Sequence, residues 1–313
     1  MIAFGPVPSR RLGRSLGINN IPPKACTYSC VYCQLGRTTR MQVERRAFYP
    51  PEEVLKEVRD KVAKARERGE AVDYLTFVPD GEPTLDANLG RAVELLRPLG
   101  IPIAVISNAS LVWREDVRRD LAKADWVSLK VDSRREAVWR RINRPHRTLQ
   151  LTAILEGMLE FAEVYPGELV TETMLVEGVN DSGAHLQPVA DFLAELRPGR
   201  AYLSIPTRPP AEVGVRSPDE EALNQAYQIL SKRVERVEYL IGYEGNAFAC
   251  TGNAPEDLLS ITAVHPMREE AVAELLARAG ADWPVVHRLI AQGQLVETEY
   301  EGRKFYVRKF HAQ

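Results

Sequence analysis

Residues 50–78, PPEEVLKEVRDKVAKARERGEAVDYLTFV, contain one complete helix-to-strand unit. Pro51 with Glu52 and Glu53 suits a first helical turn, where proline's missing donor costs nothing and acids meet the positive end of the helix dipole. Val54, Leu55, Val58 and Val62 recur at helical spacing, and Gly69 suits the helix end. The run Tyr74-Leu75-Thr76-Phe77-Val78 is rich in strand formers. The spacing predicts a helix to about Arg68 and a strand at 74–78.

The unit recurs. Helices are expected near 87–98, 114–123, 148–164, 182–196 and 218–234, and strands at 103–106, 126–131, 169–176, 201–205 and 237–241, with an earlier strand at 15–18. Such alternation means a parallel sheet with helical crossovers. The strand count suits an α/β fold of the partial (βα)6 barrel kind, with its chemistry in loops beyond the C-terminal strand ends. After about residue 250 the pattern becomes helix, helix, helix, hairpin. Glu256 and Met267 open the first two helices, 283–290 forms the third, and strands follow at 295–300 and 304–310. That is the outline of a winged-helix module. The expected domains are 1–247, the barrel, and 255–313, a small winged-helix-like domain, linked around Gly245 to Pro255.

At 313 residues, 45% hydrophobic and 27% charged, the chain can bury a substantial core, which excludes disordered, collagen-like and coiled-coil classes. No apolar run approaches the ~18 residues of a membrane helix. The N-terminal stretch has no signal-like apolar segment, so a cytoplasmic protein without a membrane partner is expected. The net charge of −2 argues against a general polyanion binder. Residues 1–46 nevertheless hold eight Arg and Lys against the single acid Glu44. That segment either faces an anionic substrate or is balanced by acids elsewhere. Residues 255–313 carry seven basic and nine acidic side chains, and the third helix offers only Arg288. Such a module argues against DNA binding and for docking on the barrel or on a protein partner.

Three of the four cysteines stand in Cys26-Thr-Tyr-Ser-Cys30-Val-Tyr-Cys33. Clustered thiols in a reduced compartment point to metal. A structural zinc would need a fourth ligand, such as Cys250 or a histidine, and no second CxxC pair completes the usual spacing. An iron–sulfur cluster held by three thiolates would leave one iron open.

The C-x3-C-x2-C spacing, with Tyr32 before the last cysteine, resembles the signature of the radical S-adenosylmethionine (SAM) superfamily. The stretches GPVPSRRLGRSLG (5–17) and CQLG (33–36) resemble a subgroup placed with wyosine-synthase-like enzymes of tRNA modification. The resemblance implies that Cys26, Cys30 and Cys33 bind a 4Fe–4S cluster and that SAM chelates its open iron. One electron, from a donor such as a flavodoxin or ferredoxin, then cleaves SAM to methionine and a 5′-deoxyadenosyl radical, which abstracts hydrogen from substrate.

Further positions follow from the same resemblance. Pro79-Asp80-Gly81-Glu82-Pro83-Thr84 is similar to the Gly-Gly-Glu-Pro motif that meets the SAM amino group, with Asp80 replacing a glycine; an ordinary turn is the alternative. Ser107 and Asn108 match a Thr-Asn-Gly position near SAM, and Tyr32 joins the cofactor-binding set. Lys130 and Asp132 share one strand face, suited to a SAM carboxylate and a ribose or substrate hydroxyl, or else to each other. Where relatives often have an early basic residue, this chain has Glu172, and Leu175 and Val176 are candidates to flank adenine. Arg208 would meet a substrate carboxylate or phosphate, or decorate a rigid proline turn. His146 is a substrate-loop candidate, and Cys250 reads as a small buried residue or a free thiol. The substrate is a small molecule or nucleoside. An RNA base is the alternative, and a zinc-containing nucleic-acid-binding regulator is a third reading.

Overall fold

A computed structural model describes residues 2–241, 248, 250–262 and 265–309. The chain begins with β1 (Ala3–Ser9), β2 (Gly13–Ile18), the short pair β3 (Ala25–Cys26) and β4 (Arg40–Met41), then α1 (Pro51–Glu67) and β5 (Tyr74–Phe77). It continues through α2 (Leu89–Leu96), β6 (Ile103–Ser107), α3 (Glu115–Leu121), β7 (Trp126–Lys130), α4 (Glu136–Asn143) and α5 (Leu151–Val164). Next come β8 (Glu168–Met174), α6 (Gly183–Leu196), β9 (Arg200–Ser204), α7 (Glu220–Ser231) and β10 (Val237–Leu240). The last part holds α8 (Ala254–Thr262), β11 (Met267–Arg268), α9 (Glu269–Arg278), α10 (Pro284–Ala291), β12 (Leu295–Tyr300) and β13 (Arg303–Arg308).

Val54, Val58 and Val62 of α1 are buried and Leu55 is half-buried, on the face that the helical spacing predicts. They join strand residues such as Leu75, Phe77, Val105, Val127 and Leu129 in the main core between helices and sheet. The sheet has eight strands in the order β1-β2-β5-β6-β7-β8-β9-β10. Every pair from β2 onward is parallel, whereas β1 runs antiparallel to β2.

The sheet curls. The β1–β2 turn belongs to one edge, yet Arg10 donates to the Leu240 carbonyl on the far edge strand and Arg11 pairs with Glu172 on β8. Leu12 of that turn sits in an interior cluster with Ala104, Trp126, Val170, Tyr202 and Leu240, one residue from each of β6 to β10. A flat sheet could not bring its first hairpin to its last strand, because strands stand about 4.8 Å apart.

β1, the two-residue strands β3, β4 and β11, and α4 were not expected. β1 contains Pro6 and Pro8, which remove ladder donors and mask a strand pattern. Proline is tolerated on sheet edges, and β1 is the edge. α4 is only two turns long, burying Trp139, Ile142 and Asn143 on one face and leaving an arginine-rich one exposed, so its period is too short to stand out in the sequence. Met267 and Arg268, expected to open a helix, instead form a strand paired with β13, and the helix begins at Glu269.

Residues 254–308 hold three helices and a three-stranded antiparallel sheet in the order β11-β13-β12. They share a separate core that includes Phe248, Leu258, Met267, Val272, Leu275, Leu289 and Tyr306. Val7 of β1 packs against this core, and the Tyr300 hydroxyl donates to the Pro206 carbonyl at 3.4 Å. The second unit therefore rests on the barrel, at β1 and at the loop after β9. The boundary at residue 247, the linker start at Gly245 and the strand end at Phe310 lie outside the described residues. Among those described, no helix is long and apolar enough to cross a membrane.

Candidate active site

Cys26 ends β3, and the loop after it is held on three sides. Thr38 closes it from within, its amide donating to Ser29 Oγ at 3.2 Å and its hydroxyl to the Tyr28 carbonyl at 2.5 Å. The end of α4 holds its outer side, where Ser29 N donates to Asn143 O at 3.1 Å, Val31 N to Ile142 O at 2.9 Å and His146 N to Thr27 O at 2.8 Å. His146, proposed for a substrate loop, thus anchors the cysteine loop through its backbone.

The third side is the turn after β5. Lys24 N donates to Asp80 O at 2.7 Å, and Glu82 N to Ala25 O at 3.1 Å. Gly81 lies between them at φ +154°, and a Cβ there would stand 1.9 Å from the Ala25 carbonyl oxygen. Asp80, which replaces a glycine of the similar motif, pairs with Lys24 at 3.4 Å. Burial raises the Asp80 carboxyl to about 6, and Lys24 limits that rise.

Glu82 is buried and fully engaged. Its Oε1 accepts from Thr84 N at 3.0 Å, Thr84 Oγ1 at 2.6 Å and Ser107 Oγ at 2.8 Å, and its Oε2 accepts from Asn108 N at 2.8 Å. Four donors meet the capacity of one carboxylate, so Glu82 ties the end of β6 to the turn after β5. Asn108 then donates from Nδ2 to Thr27 Oγ1 at 2.8 Å and to the Cys26 sulfur at 3.6 Å.

Lys130 and Asp132 do not pair. Lys130 Nζ lies 2.9 Å from Glu172 Oε1 and 5.0 Å from the Tyr32 ring centre. Glu172 also accepts from Arg11 and, at 2.9 Å, from Ser204 Oγ. Burial alone would raise the Glu172 carboxyl, but Lys130 and Arg11 hold it well below the usual range. Asp132 accepts from the Tyr32 hydroxyl, from Asn143 Nδ2 at 2.7 Å and from Met174 N at 2.9 Å. Asn143 also reaches the Cys30 sulfur at 3.5 Å. Tyr32 and Asp132 thus brace the cysteine loop against β7 and β8.

The three thiols are free and half-buried. Burial pushes all of them up, Cys30 to about 12, so a bound metal would be needed to hold them as thiolates. Soft thiol donors with amide N–H groups on two of the sulfurs fit an iron–sulfur cluster, whose potential such hydrogen bonds tune. Among the described residues, no three His, Cys, Asp or Glu side chains converge on a site for one metal ion. A four-iron cluster spreads its ligands more widely than an ion does.

Behind Cys33 lies a cavity of about 310 Å³, lined by residues of β2 and β5 to β9, the β1–β2 hairpin, Gln34 and Leu35, the loop after β9 and His265. Its size is at the lower end for small-molecule sites. Lys130, Tyr32 and Arg208 reach it, as do Arg11, Gln34 and His265, which the sequence had not marked. Leu175 and Val176 do not. Leu175 packs in the main core, and Val176 packs with Val31, Tyr32, Ile142 and Val215, whereas Met174 lines the cavity.

Four of the eight basic residues of the first segment meet acids. Arg11 pairs with Glu172, Lys24 with Asp80 and Arg37 with Glu212. Arg45 is buried against Asp116, Asp120 and the carbonyls of Thr84 and Asp86. Cys250 packs at the margin of the second core.

These geometries have counterparts in known proteins. A UPF0026 protein of Methanocaldococcus jannaschii is 48% identical, the match spanning 100% of this chain and 97% of that protein. A radical SAM methyltransferase from Sphaerobacter thermophilus shares the fold at TM-score 0.52 and 18% identity, over 72% of this chain and 66% of that one. A structure of TYW1 with a lysine–pyruvate adduct bound does so at TM-score 0.53 and 16% identity, over 71% and 74%. The model of the Radical SAM superfamily matches residues 20–193, from just before the cysteine loop into α6. That match sets aside the zinc-containing regulator. The chain belongs to the radical SAM superfamily, as an enzyme whose cofactors are a 4Fe–4S cluster and SAM.

Proposed function

We propose that the chain cleaves SAM reductively in the cavity behind Cys33 to abstract hydrogen from a small-molecule or nucleoside substrate. The observation that carries this reading is the convergence of the cysteine loop, the turn at 80–82 and the end of β6 on one another, beside a cavity that Cys33, Pro79 and Ile106 of these segments line. Cys26, Cys30 and Cys33 would hold the cluster. When bound, it supplies the electron that splits SAM into methionine and a 5′-deoxyadenosyl radical. Glu82 fixes Ser107 and Asn108, so that their polar groups and the Gly81 backbone present a preset surface to SAM. Lys130 and Asp132 keep Tyr32 and the cysteine loop in place from the barrel side. The apolar lining from Phe4, Val78, Ile106 and Leu35 limits water around a reactive radical. We also read residues 1–247 as the catalytic barrel of a cytoplasmic protein and 255–313 as a winged-helix-like module that closes its side.

The test is anaerobic reconstitution. The protein should take up about four iron and four sulfide per chain and form 5′-deoxyadenosine with a low-potential reductant. Replacing Cys26, Cys30 or Cys33 by Ala should abolish both cluster and cleavage, while Cys250→Ala should keep both. Cluster absorbance retained in Cys30→Ala, or one zinc and no cleavage in the wild type, would overturn the reading.

One observation favours RNA as the substrate. Arg134, Arg135, Arg140, Arg141 and Arg147 are exposed on the segment that holds the cysteine loop, and guanidinium groups suit phosphates. Co-purification of RNA, lost on replacing Arg140, Arg141 and Arg147 by Glu, would establish that reading. RNA-free protein with an active site that turns over would remove it.

A further inference from the structure

The two backbone amides that flank Cys30 are directed away from its sulfur. Ser29 N donates to Asn143 O at 3.1 Å and Val31 N to Ile142 O at 2.9 Å, so both are taken up by carbonyls at the end of α4. The donor that reaches the sulfur is a side chain from that same helix end, Asn143 Nδ2, at 3.5 Å. Asn143 therefore holds the cysteine loop twice, by its carbonyl and by its amide.

The amide is buried and fixed in orientation. Its Nδ2 lies 2.7 Å from Asp132 Oδ2 and 3.2 Å from the Tyr32 hydroxyl oxygen. A carboxylate only accepts, so the edge that faces Asp132 is N–H and not C=O. The Tyr32 hydroxyl gives its own proton to Asp132, which leaves its oxygen to receive from Asn143. Two hydrogens thus meet three acceptors. One goes to Asp132, and the other lies between the Tyr32 oxygen and the Cys30 sulfur. Asn108 makes the parallel contact to Cys26 at 3.6 Å, but it is only half-buried and is also bonded to Thr27.

The effect of such a bond depends on the charge of the sulfur. Reducing a 4Fe–4S cluster adds one electron, brought by a low-potential donor from outside the chain, and no bond or proton moves with it. Part of the added negative charge falls on the thiolate sulfurs. An N–H on a sulfur is therefore stronger in the reduced state than in the oxidised one, and it raises the reduction potential. Burial of the donor enlarges the difference, because the surrounding dielectric is low.

We infer that Asn143, positioned by Asp132, tunes the reduction potential of the cluster through the Cys30 sulfur, and so sets how readily the electron for SAM cleavage is accepted. The inference rests on Cys30 being a cluster ligand, as proposed above. It gives α4 a part in the reaction beyond clamping the loop.

The test is a redox titration of the reconstituted full chain without SAM, followed by electron paramagnetic resonance of the reduced cluster. Asn143→Leu, close in shape but without a donor, should lower the ratio of reduced to oxidised cluster at a given solution potential about three- to tenfold, the larger figure being ~59 mV for one electron. Asn143→Gln, which keeps an amide, should recover part of the shift. Asn180→Ala is the structural control, since the buried Asn180 side chain bonds the Asp132 and Met174 carbonyls and the Val176 amide instead of a sulfur. It should lower stability in urea and leave the potential in place. An unchanged or raised potential in Asn143→Leu, or an equal fall in Asn180→Ala, overturns the inference. Should Asn143→Leu hold no cluster, Asn143→Ser decides, because its hydroxyl is too short to replace the amide, and an unchanged potential there is equally fatal. A wild type that takes up no cluster would overturn the reading of the cysteines together with this inference. A wild-type cluster whose potential ignores Asn143 would overturn this inference alone.

Discussion

Gly81→Ala is expected to unfold the protein more readily and to strip it of iron. At φ +154° an alanine is strained, and its Cβ would meet the Ala25 carbonyl oxygen at 1.9 Å. That oxygen cannot retreat cheaply, because it accepts from Glu82 N and the next residue is Cys26. Backbone strain of about 1–3 kcal/mol, with two backbone hydrogen bonds at about 1 kcal/mol each, gives a loss of about 3–5 kcal/mol. Denaturant unfolding measures that loss, and iron content after reconstitution measures the loop. Gly69→Ala is the matched control, since Gly69 also has positive φ but nothing within 4 Å of an added Cβ. Equal stability and iron content in the two variants would show that the stitching of turn to loop is incidental.

Glu172→Gln should be about as damaging, by an electrostatic route. The carboxylate answers both Arg11 and Lys130 in the barrel interior, and an amide would deprive two largely buried cations of the counter-charge they share. Breaking a buried pair by removing one partner costs about 3–5 kcal/mol. The pH dependence carries a sign. Because Glu172 is held well below the usual carboxylate range, its contribution is complete above the unfolded value of about 4.3 and is lost as pH falls below it. The stability gap between wild type and Glu172→Gln should therefore be widest at neutral pH and should narrow on acidification below about pH 5. Urea unfolding at several pH values checks this. A gap independent of pH would mean that the loss comes from packing and not from charge.

The sequence made the parallel sheet legible because a strand buried on both faces and an amphipathic helix leave strong, regular signals. Those at 74–78 and 51–68 fall within one or two residues of β5 and α1. β1 was hidden by its prolines and α4 by its two-turn length, since both elements are held by tertiary contacts with β2 and the cysteine loop. The thiols and the turns at 80–82 and 107–108 were readable as motifs. Their division of labour was not. Glu82 and Asp132 look from sequence like groups that reach for a ligand, and each is also held by neighbours brought from far along the chain. Arg11 shows locally only as one of a basic segment and His265 not at all, because their partners lie 161 and 57 positions away.

The β1–β2 hairpin also sets the order in which the protein can be finished on the ribosome. Its turn binds Glu172 and Leu240, and Val7 packs on a core that begins at Phe248. Synthesis proceeds from the N-terminus at about 5–20 residues per second. The first dozen residues therefore emerge many seconds before any of these partners exists. Until then Leu12 has no complete interior to enter, and a nascent chain truncated before β8 should leave the hairpin turn open to proteases. A hairpin made early is thus among the last elements to be secured.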